Sequence, residues 1–277
     1  MAQLTSADRE RFLEQGYLTV PDVVPAEYCD RVIAAMCDFL GVDVEHADSF
    51  SRLGIQGHGI VPLHHHQALW DVRQLPALHD AFSFLYGTPK LWVSQDRVSF
   101  KVPARLHADG FRMNPVHWDG DPRVLTRATV AMQGLIYLTD TPIEKGPFAM
   151  VPSLYRNLEG WLATPRTDAE VRRPDVSAED LVGVPGGKGT LLVWHRLMPH
   201  TSLANHAEAP RLVQYVTMTP ALDDASEQRA ASVRDCLGKH PPAWALRQRV
   251  PGQRDPEPGP AVVLTDLGRR LVGIDSW

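Results

Sequence analysis

Residues 129–138, Thr-Val-Ala-Met-Gln-Gly-Leu-Ile-Tyr-Leu, read as a long strand, because the run is rich in β-branched, aromatic and other apolar residues. Shorter runs of the same character flank it. Leu91-Trp92-Val93 and Val98-Ser99-Phe100 precede it, and Leu191-Leu192-Val193-Trp194 and Leu212 to Met218 follow. Upstream of these runs the pattern is helical. Ser6 can cap a short helix through Phe12 and Leu13, stopped by Gly16. Pro25 opens a second helix whose apolar stripe is Ile33, Met36, Cys37 and Leu40, ended by Gly41. A third runs from about Leu75 to Tyr86 and stops at Gly87. Helices first and many strands afterwards point to a mostly-β fold with flanking helices, a sandwich or barrel.

The expected organisation is one domain over 1–277. Its N-terminal segment, residues 1–90, is helical; a β core of about 91–220 follows, and then a C-terminal extension, 221–277. The polar stretch Thr164 to Gly189 reads as a crossover insertion. The extension holds a Pro/Gly-rich loop, Pro251 to Pro260, and a last amphipathic turn, Leu264 to Val272.

The chain has 277 residues, 44% of them hydrophobic, enough for one large domain with a full core. A net charge of -5 argues against a nucleic-acid partner. No apolar run reaches membrane-spanning length, and the polar N-terminus is unlike a signal peptide. A cytoplasmic protein acting on a small molecule is the expectation. Cys29, Cys37 and Cys236 are too few and too scattered for a disulfide framework or a zinc cluster, and read as core thiols.

The chemistry lies just upstream of the central strand, at His117-Trp118-Asp119. Side chains alternate along a strand, so a His-x-Asp pair sets two hard metal ligands on one face. A second histidine brought in by the fold would complete three ligands and leave the opposite side open, the arrangement of non-haem Fe(II) oxygenases. Both His195 and His200 are candidates for it. His195 ends an apolar run, whereas His200 begins the approach to the strand that carries Arg211, so His200 is preferred. Arg211 shares a strand face with Val213, Tyr215 and Thr217. That face would put a guanidinium at the end of a mostly apolar pocket, suited to bidentate pairing with a carboxylate. Three consecutive side chains cannot all reach one ion, so His64-His65-His66 reads as an exposed or substrate-facing loop. His58 and His107 receive no role.

These residues resemble the phytanoyl-CoA dioxygenase family of Fe(II)/2-oxoglutarate oxygenases. The matches are His117-Trp118-Asp119, His200-Thr201-Ser202 with Asn205 after it, and Arg211 at the family's spacing from the distal histidine. Gln133-Gly134-Leu135 through Pro147 to Val151-Pro152-Ser153 also resembles the family. The similarity runs from about Leu91 to Pro220. It implies a double-stranded β-helix of jelly-roll or cupin type, with Fe(II) on His117, Asp119 and His200. It implies 2-oxoglutarate as co-substrate with its far carboxylate on Arg211 and Ser202, O2 as oxidant, and Gln133 lining the pocket. Tyr155 departs from the family, which commonly has histidine there.

The resemblance fixes a reaction type and leaves the substrate open. His64, His65, His66, Arg105, His107 and Arg112 in the loops before the metal motif, with Trp92, Phe111 and Trp118, suit a polar or anionic small molecule. A secondary-metabolite or amino-acid-like compound ranks above an acyl-CoA. Hydroxylation with succinate and CO2 as co-products is the expected outcome. The alternatives are an acyl-CoA hydroxylase, a metallo-hydrolase or isomerase using metal-bound water, and a barrel that only binds a ligand.

Overall fold

The computed structural model describes residues 4–51, 53, 59–106, 115–247 and 259–277. Expectations for His58, His107, Phe111, Arg112 and residues 251–258 of the tail loop fall outside these. The helices are α1 (Ser6–Gln15), α2 (Ala26–Leu40), α3 (Ala47–Phe50), α4 (Gln67–Arg73), α5 (Pro76–Tyr86), α6 (Pro152–Arg156), α7 (Leu158–Leu162), α8 (Asp168–Arg172), α9 (Ser226–Gly238), α10 (Ala243–Arg247) and α11 (Asp266–Val272). The strands are β1 (Tyr17–Val20), β2 (Ile60–Val61), β3 (Leu91–Val93), β4 (Val98–Lys101), β5 (Met132–Tyr137), β6 (Phe148–Met150), β7 (Val182–Val184), β8 (Leu191–His195), β9 (His200–Ser202), β10 (Arg211–Val216) and β11 (Met218–Pro220). By residue count the described helices outweigh the strands; the sheets nevertheless carry the site.

Local chemistry explains the element ends. Thr5, not Ser6, caps α1: its hydroxyl takes the Asp8 N–H while the Asp8 carboxylate takes the Thr5 N–H, a reciprocal pair that Ser6 lacks. Gly16 ends α1 at φ 80, and a Cβ there would lie 2.6 Å from the Tyr155 ring. α2 starts after Pro25 and stops at a left-handed Gly41, but its buried face is Cys29, Val32, Ala35 and Met36. The buried stripe is therefore rotated from the expected one, and Cys37 is half-buried while Cys29 and Cys236 are buried. All three thiols are free.

A six-stranded antiparallel sheet has the order β1-β8-β5-β10-β4-β2, and a three-stranded one the order β7-β6-β9. His117 forms a single bridge to His200 on β9 and so adds a fourth row to the smaller sheet. Thr164 to Gly189 is thus more than an insertion, since it supplies β7 to that sheet. Alternation divides the larger sheet into two faces. Val98, Phe100, Ile136, Val193, Leu212 and Val216 pack against the helices. Leu135, Tyr137, Leu192, Trp194 and Val213 instead meet Phe148, Met150 and Val184 of the smaller sheet. Each such side chain removed from water contributes about 1.5–3 kcal/mol. The helices therefore clamp one face of the larger sheet and leave the other to line an interior. No helix among the described residues is long and apolar enough to cross a membrane.

Candidate metal centre

His117, Asp119 and His200 come together beside this interior, His200 buried, His117 half-buried and Asp119 exposed, with one ligand atom from each lying within 4.8 Å of the others. The backbone does this directly. His117 N–H donates to His200 O at 3.1 Å and His200 N–H to His117 O at 3.0 Å, so the two rings stand side by side with centroids 4.6 Å apart. A bridge of one residue pair replaces the regular strand that the His-x-Asp spacing suggested. The loop is tied down instead by Trp118, whose indole N–H donates to Leu197 O at 2.8 Å, and by Arg196, which donates to Asp119 O at 3.2 Å.

Ring orientation is set by the nitrogens that face away. Nδ1 of His117 meets Pro115 O at 3.1 Å and Nδ1 of His200 meets Met198 O at 2.9 Å. A carbonyl accepts, so each Nδ1 carries the proton and each Nε2 offers a lone pair inward. These Nε2 atoms lie 3.8 and 3.4 Å from the Asp119 carboxylate oxygens. Burial works against ionising Asp119. In their protonated form the rings oppose it: the hydrogen bond and charge of His200, the charge of His117 and a hydrogen bond from Gln133 then outweigh burial and hold the carboxyl well below its usual range. Two neutral nitrogens and a carboxylate make a donor set that fits a divalent transition metal.

His195 lies elsewhere. It is fully buried, with Nε2 on Thr129 O at 2.9 Å and Nδ1 accepting the Leu197 N–H at 3.1 Å, and so packs as the turn's own hydrogen-bonding residue. Tyr155 sits against it at 5.6 Å.

Deeper on the same interior face stands Arg211, the first residue of β10, opposite Lys101 on β4. Arg211 is 2% exposed; Nη2 donates to Ser99 Oγ at 3.3 Å, and its Nε is buried without a partner. Lys101 Nζ donates to Ser202 Oγ at 2.8 Å and to Leu203 O at 2.5 Å. Burial and the neighbouring Arg211 push its pKa down to about 6. A buried guanidinium with an unpaired N–H, a buried amine and a serine hydroxyl form a cradle for a carboxylate. Lys101 escaped the sequence reading because Ser99 and Lys101 alternate with Val98 and Phe100, which reads by default as a solvent-facing edge. Asn205, fully buried, shapes this corner through its amide on Lys101 O at 3.1 Å and Ala209 O at 2.9 Å. Gln133 points its amide at Asp119, with Oε1 buried and unpaired.

Several expected rim residues do other work. Arg105 pairs with Glu208 at the surface. Trp92 packs beside Gly273, and Trp118 leans on Trp161 at 5.3 Å. The histidine run is buried at His64, half-buried at His65 and exposed at His66. His64 and His65 are held by carbonyls, and His66 caps α4 by accepting the Ala68 N–H.

A family model described as Phytanoyl-CoA dioxygenase (PhyH) matches residues 12–213. The "Putative phytanoyl-CoA dioxygenase" of Dictyostelium discoideum is 23% identical over 263 residues, covering 76% of this chain and 74% of that protein. The crystal structure of GlcNAc inducible gene 2 from Candida albicans is 14% identical with a TM-score of 0.75, over 99% of this chain and 77% of that one. SnoN, a non-haem α-ketoglutarate-dependent epimerase from nogalamycin biosynthesis, is 18% identical in its complex with Fe3+, α-ketoglutarate and nogalamycin RO. Its TM-score is 0.53, over 94% of this chain and 96% of that one. At such identities the solved structures speak for the fold, a cupin-like arrangement of sheets and helices.

Proposed function

Because this chain belongs to the phytanoyl-CoA dioxygenase family, we propose that it is an Fe(II)- and 2-oxoglutarate-dependent oxygenase that hydroxylates a polar, secondary-metabolite or amino-acid-like small molecule. The observation that carries the reading is the convergence of two inward Nε2 atoms and the Asp119 carboxylate, together with the buried Arg211–Lys101 cradle. The strand order supports a double-stranded β-helix. From β4 to β10 the chain alternates between sheets except at the β6–β7 pair, which stays in the smaller one, giving rows β8-β5-β10-β4 in one and β7-β6-β9-His117 in the other. Residues 1–277 are read as one such oxygenase domain.

His117, Asp119 and His200 would hold Fe(II), and Arg211, Lys101 and Ser202 the distal carboxylate of 2-oxoglutarate. Once bound, iron with 2-oxoglutarate and O2 supplies an oxidant for a substrate C–H, with succinate and CO2 as co-products. The chain itself contributes orientation and exclusion. Met198 O and Pro115 O fix the two rings, Gln133 steadies Asp119, and Phe148 and Trp194 wall His200 at 5.1 and 5.5 Å. The direct test is an anaerobic titration of the Fe(II) protein with 2-oxoglutarate. A weak visible charge-transfer band should appear, and O2 should then release succinate. A hydrolase or a binding protein shows neither.

Two expectations follow for the cradle. Arg211→Leu removes the bidentate partner of a buried carboxylate, a truncation that costs about 2–5 kcal/mol. The apparent Kd for 2-oxoglutarate, read from the band, should rise by about 30-fold or more while iron affinity holds. An unchanged Kd would move the carboxylate elsewhere. For Lys101 the sign follows from linkage. Its pKa is about 6 in the free protein, and an arriving carboxylate raises it, so binding takes up a proton. Affinity should therefore be highest below pH 6 and weaken above it by up to about tenfold per pH unit. Lys101→Met should weaken binding and flatten this dependence; an equally steep profile would remove Lys101 from the cradle.

A further inference from the structure

Trp92 sits on β3, which pairs with β11 apart from the two larger sheets. Expected at the substrate rim, it instead lines a separate cavity of about 150 Å³. The end of β11, the first turn of α9 and residues 275–277 bound the rest of that cavity. None of its lining belongs to the metal centre or to the cradle. An engineered apolar void of about the same volume binds benzene, so the space suits one six-membered ring. Trp277 supplies a flat wall for it. Its indole N–H is spent on Leu91 O at 2.9 Å, and its ring stacks on His79 with centroids 5.4 Å apart and planes 10° apart.

The other indole carries a donor with nothing to bond. Trp92 is 7% exposed, yet its N–H has no acceptor among the described residues. Polar groups buried to this degree are normally paired. Gly273 keeps the space beside that N–H open. Its φ of 95 favours glycine, and a Cβ there would stand 2.8 Å from Arg229 Cγ, 3.4 Å from Trp92 Nε1 and 3.6 Å from Arg229 Nε. The indole N–H and the guanidinium therefore border one gap. Arg229 is fixed along it by Nε on Gly273 O at 2.6 Å and Nη2 on Ile274 O at 3.3 Å. Its Nη1 has no partner among the described residues, and neither has the ammonium of Lys90 at the exposed rim. Two acids also line the cavity. Arg269 holds Asp275 at 2.7 and 2.8 Å, which leaves Asp223, exposed at the rim, to oppose the two cations.

We propose that this cavity is a second ligand site, which takes a small single-ring aromatic carboxylate. The ring lies against Trp277 and the carboxylate turns to the Trp92 N–H, Arg229 and Lys90. Aromatic rings stack offset or edge-on with an indole and gain beyond their area. N–H donors bond a charged acceptor about twice as strongly as a neutral one. An aliphatic acid forfeits the stack, and a neutral ring leaves the donors with a weaker acceptor. The site uses no group of the metal centre, so it stands apart from the oxygenase reading.

The test uses the full chain, metal-free, with isotope-labelled tryptophan indoles and benzoate as the probe. Benzoate should move the Trp92 indole N–H resonance along a saturating curve, the resonance being assigned by its loss in Trp92→Phe. Acetate lacks the ring and benzyl alcohol lacks the charge, so each should bind about tenfold more weakly or worse. Trp92→Phe keeps a ring and loses the N–H; Lys90→Met removes a charge at an exposed position where the fold does not depend on it. By calorimetry each should weaken benzoate by about tenfold. The site is overturned by a Trp92 resonance that benzoate does not move, by acetate or benzyl alcohol binding as well as benzoate, or by unchanged affinity in Lys90→Met. Benzoate displaced by excess 2-oxoglutarate would lie in the Arg211 cradle instead, and that result overturns the second site too.

Discussion

His200→Ala removes the visible charge-transfer band and ends O2-dependent succinate release, while His195→Gln keeps both. The geometry makes this the sharpest contrast in the molecule. His200 stands on the bridge to His117, with Nδ1 spent on Met198 O and Nε2 turned to Asp119 at 3.4 Å. Removing it takes away a ligand, a loss larger than the 10–100-fold typical of groups that only orient ligands. His195 sits five positions earlier and has both ring nitrogens engaged with Thr129 O and Leu197 N–H. Glutamine can supply a donor there, whereas alanine would strand two buried backbone groups at a cost of about 1–3 kcal/mol each and confuse the readout. A band that survives His200→Ala and vanishes in His195→Gln would reverse the assignment.

That contrast also shows what was legible in the chain. The two short spacings, His117 to Asp119 and His200 to Arg211, are local information, and the structure brings the two histidines and Asp119 together with Arg211 deeper on the same interior face. Glycine stops at Gly16, Gly41 and Gly87 were legible because a left-handed residue ends each helix. The three-residue strands β6, β7 and β9 were not read as strands, since three residues carry too little periodicity. Lys101 was hidden by an alternation that reads the same whether the polar face meets water or a cavity. The histidine run misled for a related reason. Its partners, Gln95 O and His240 O, are 31 and 175 positions away, so nothing local separated a clasp from a loop.

That clasp sets the second large effect, a stability that falls steeply in mild acid. Burial, with help from the charges of Arg73 and Arg97, pushes the His64 pKa down to about 3. Burial and then Arg73 push His65 down to about 4. His65 must also stay neutral for its bonding, since Nε2 lies on His240 O while Nδ1 accepts the Trp70 indole N–H. In the unfolded chain both titrate near 6.5. Folded-state values lie below unfolded ones, so the contribution is complete above 6.5 and is lost as pH falls toward 4 and 3. From pH 7 to pH 5 each histidine should remove about 2 kcal/mol, and the pair together should lower Tm by about 10 °C. Measurement on metal-free protein separates this from His117 and His200. His64→Asn retains a donor for Gln95 O but cannot titrate. Relative to wild type it should reduce the pH dependence of unfolding free energy by about 1.4 kcal/mol per pH unit, so that the two proteins converge in stability as acid is added. Parallel profiles for the two proteins would mean that His64 is already protonated in the fold, and the buried neutral clasp would have to be abandoned.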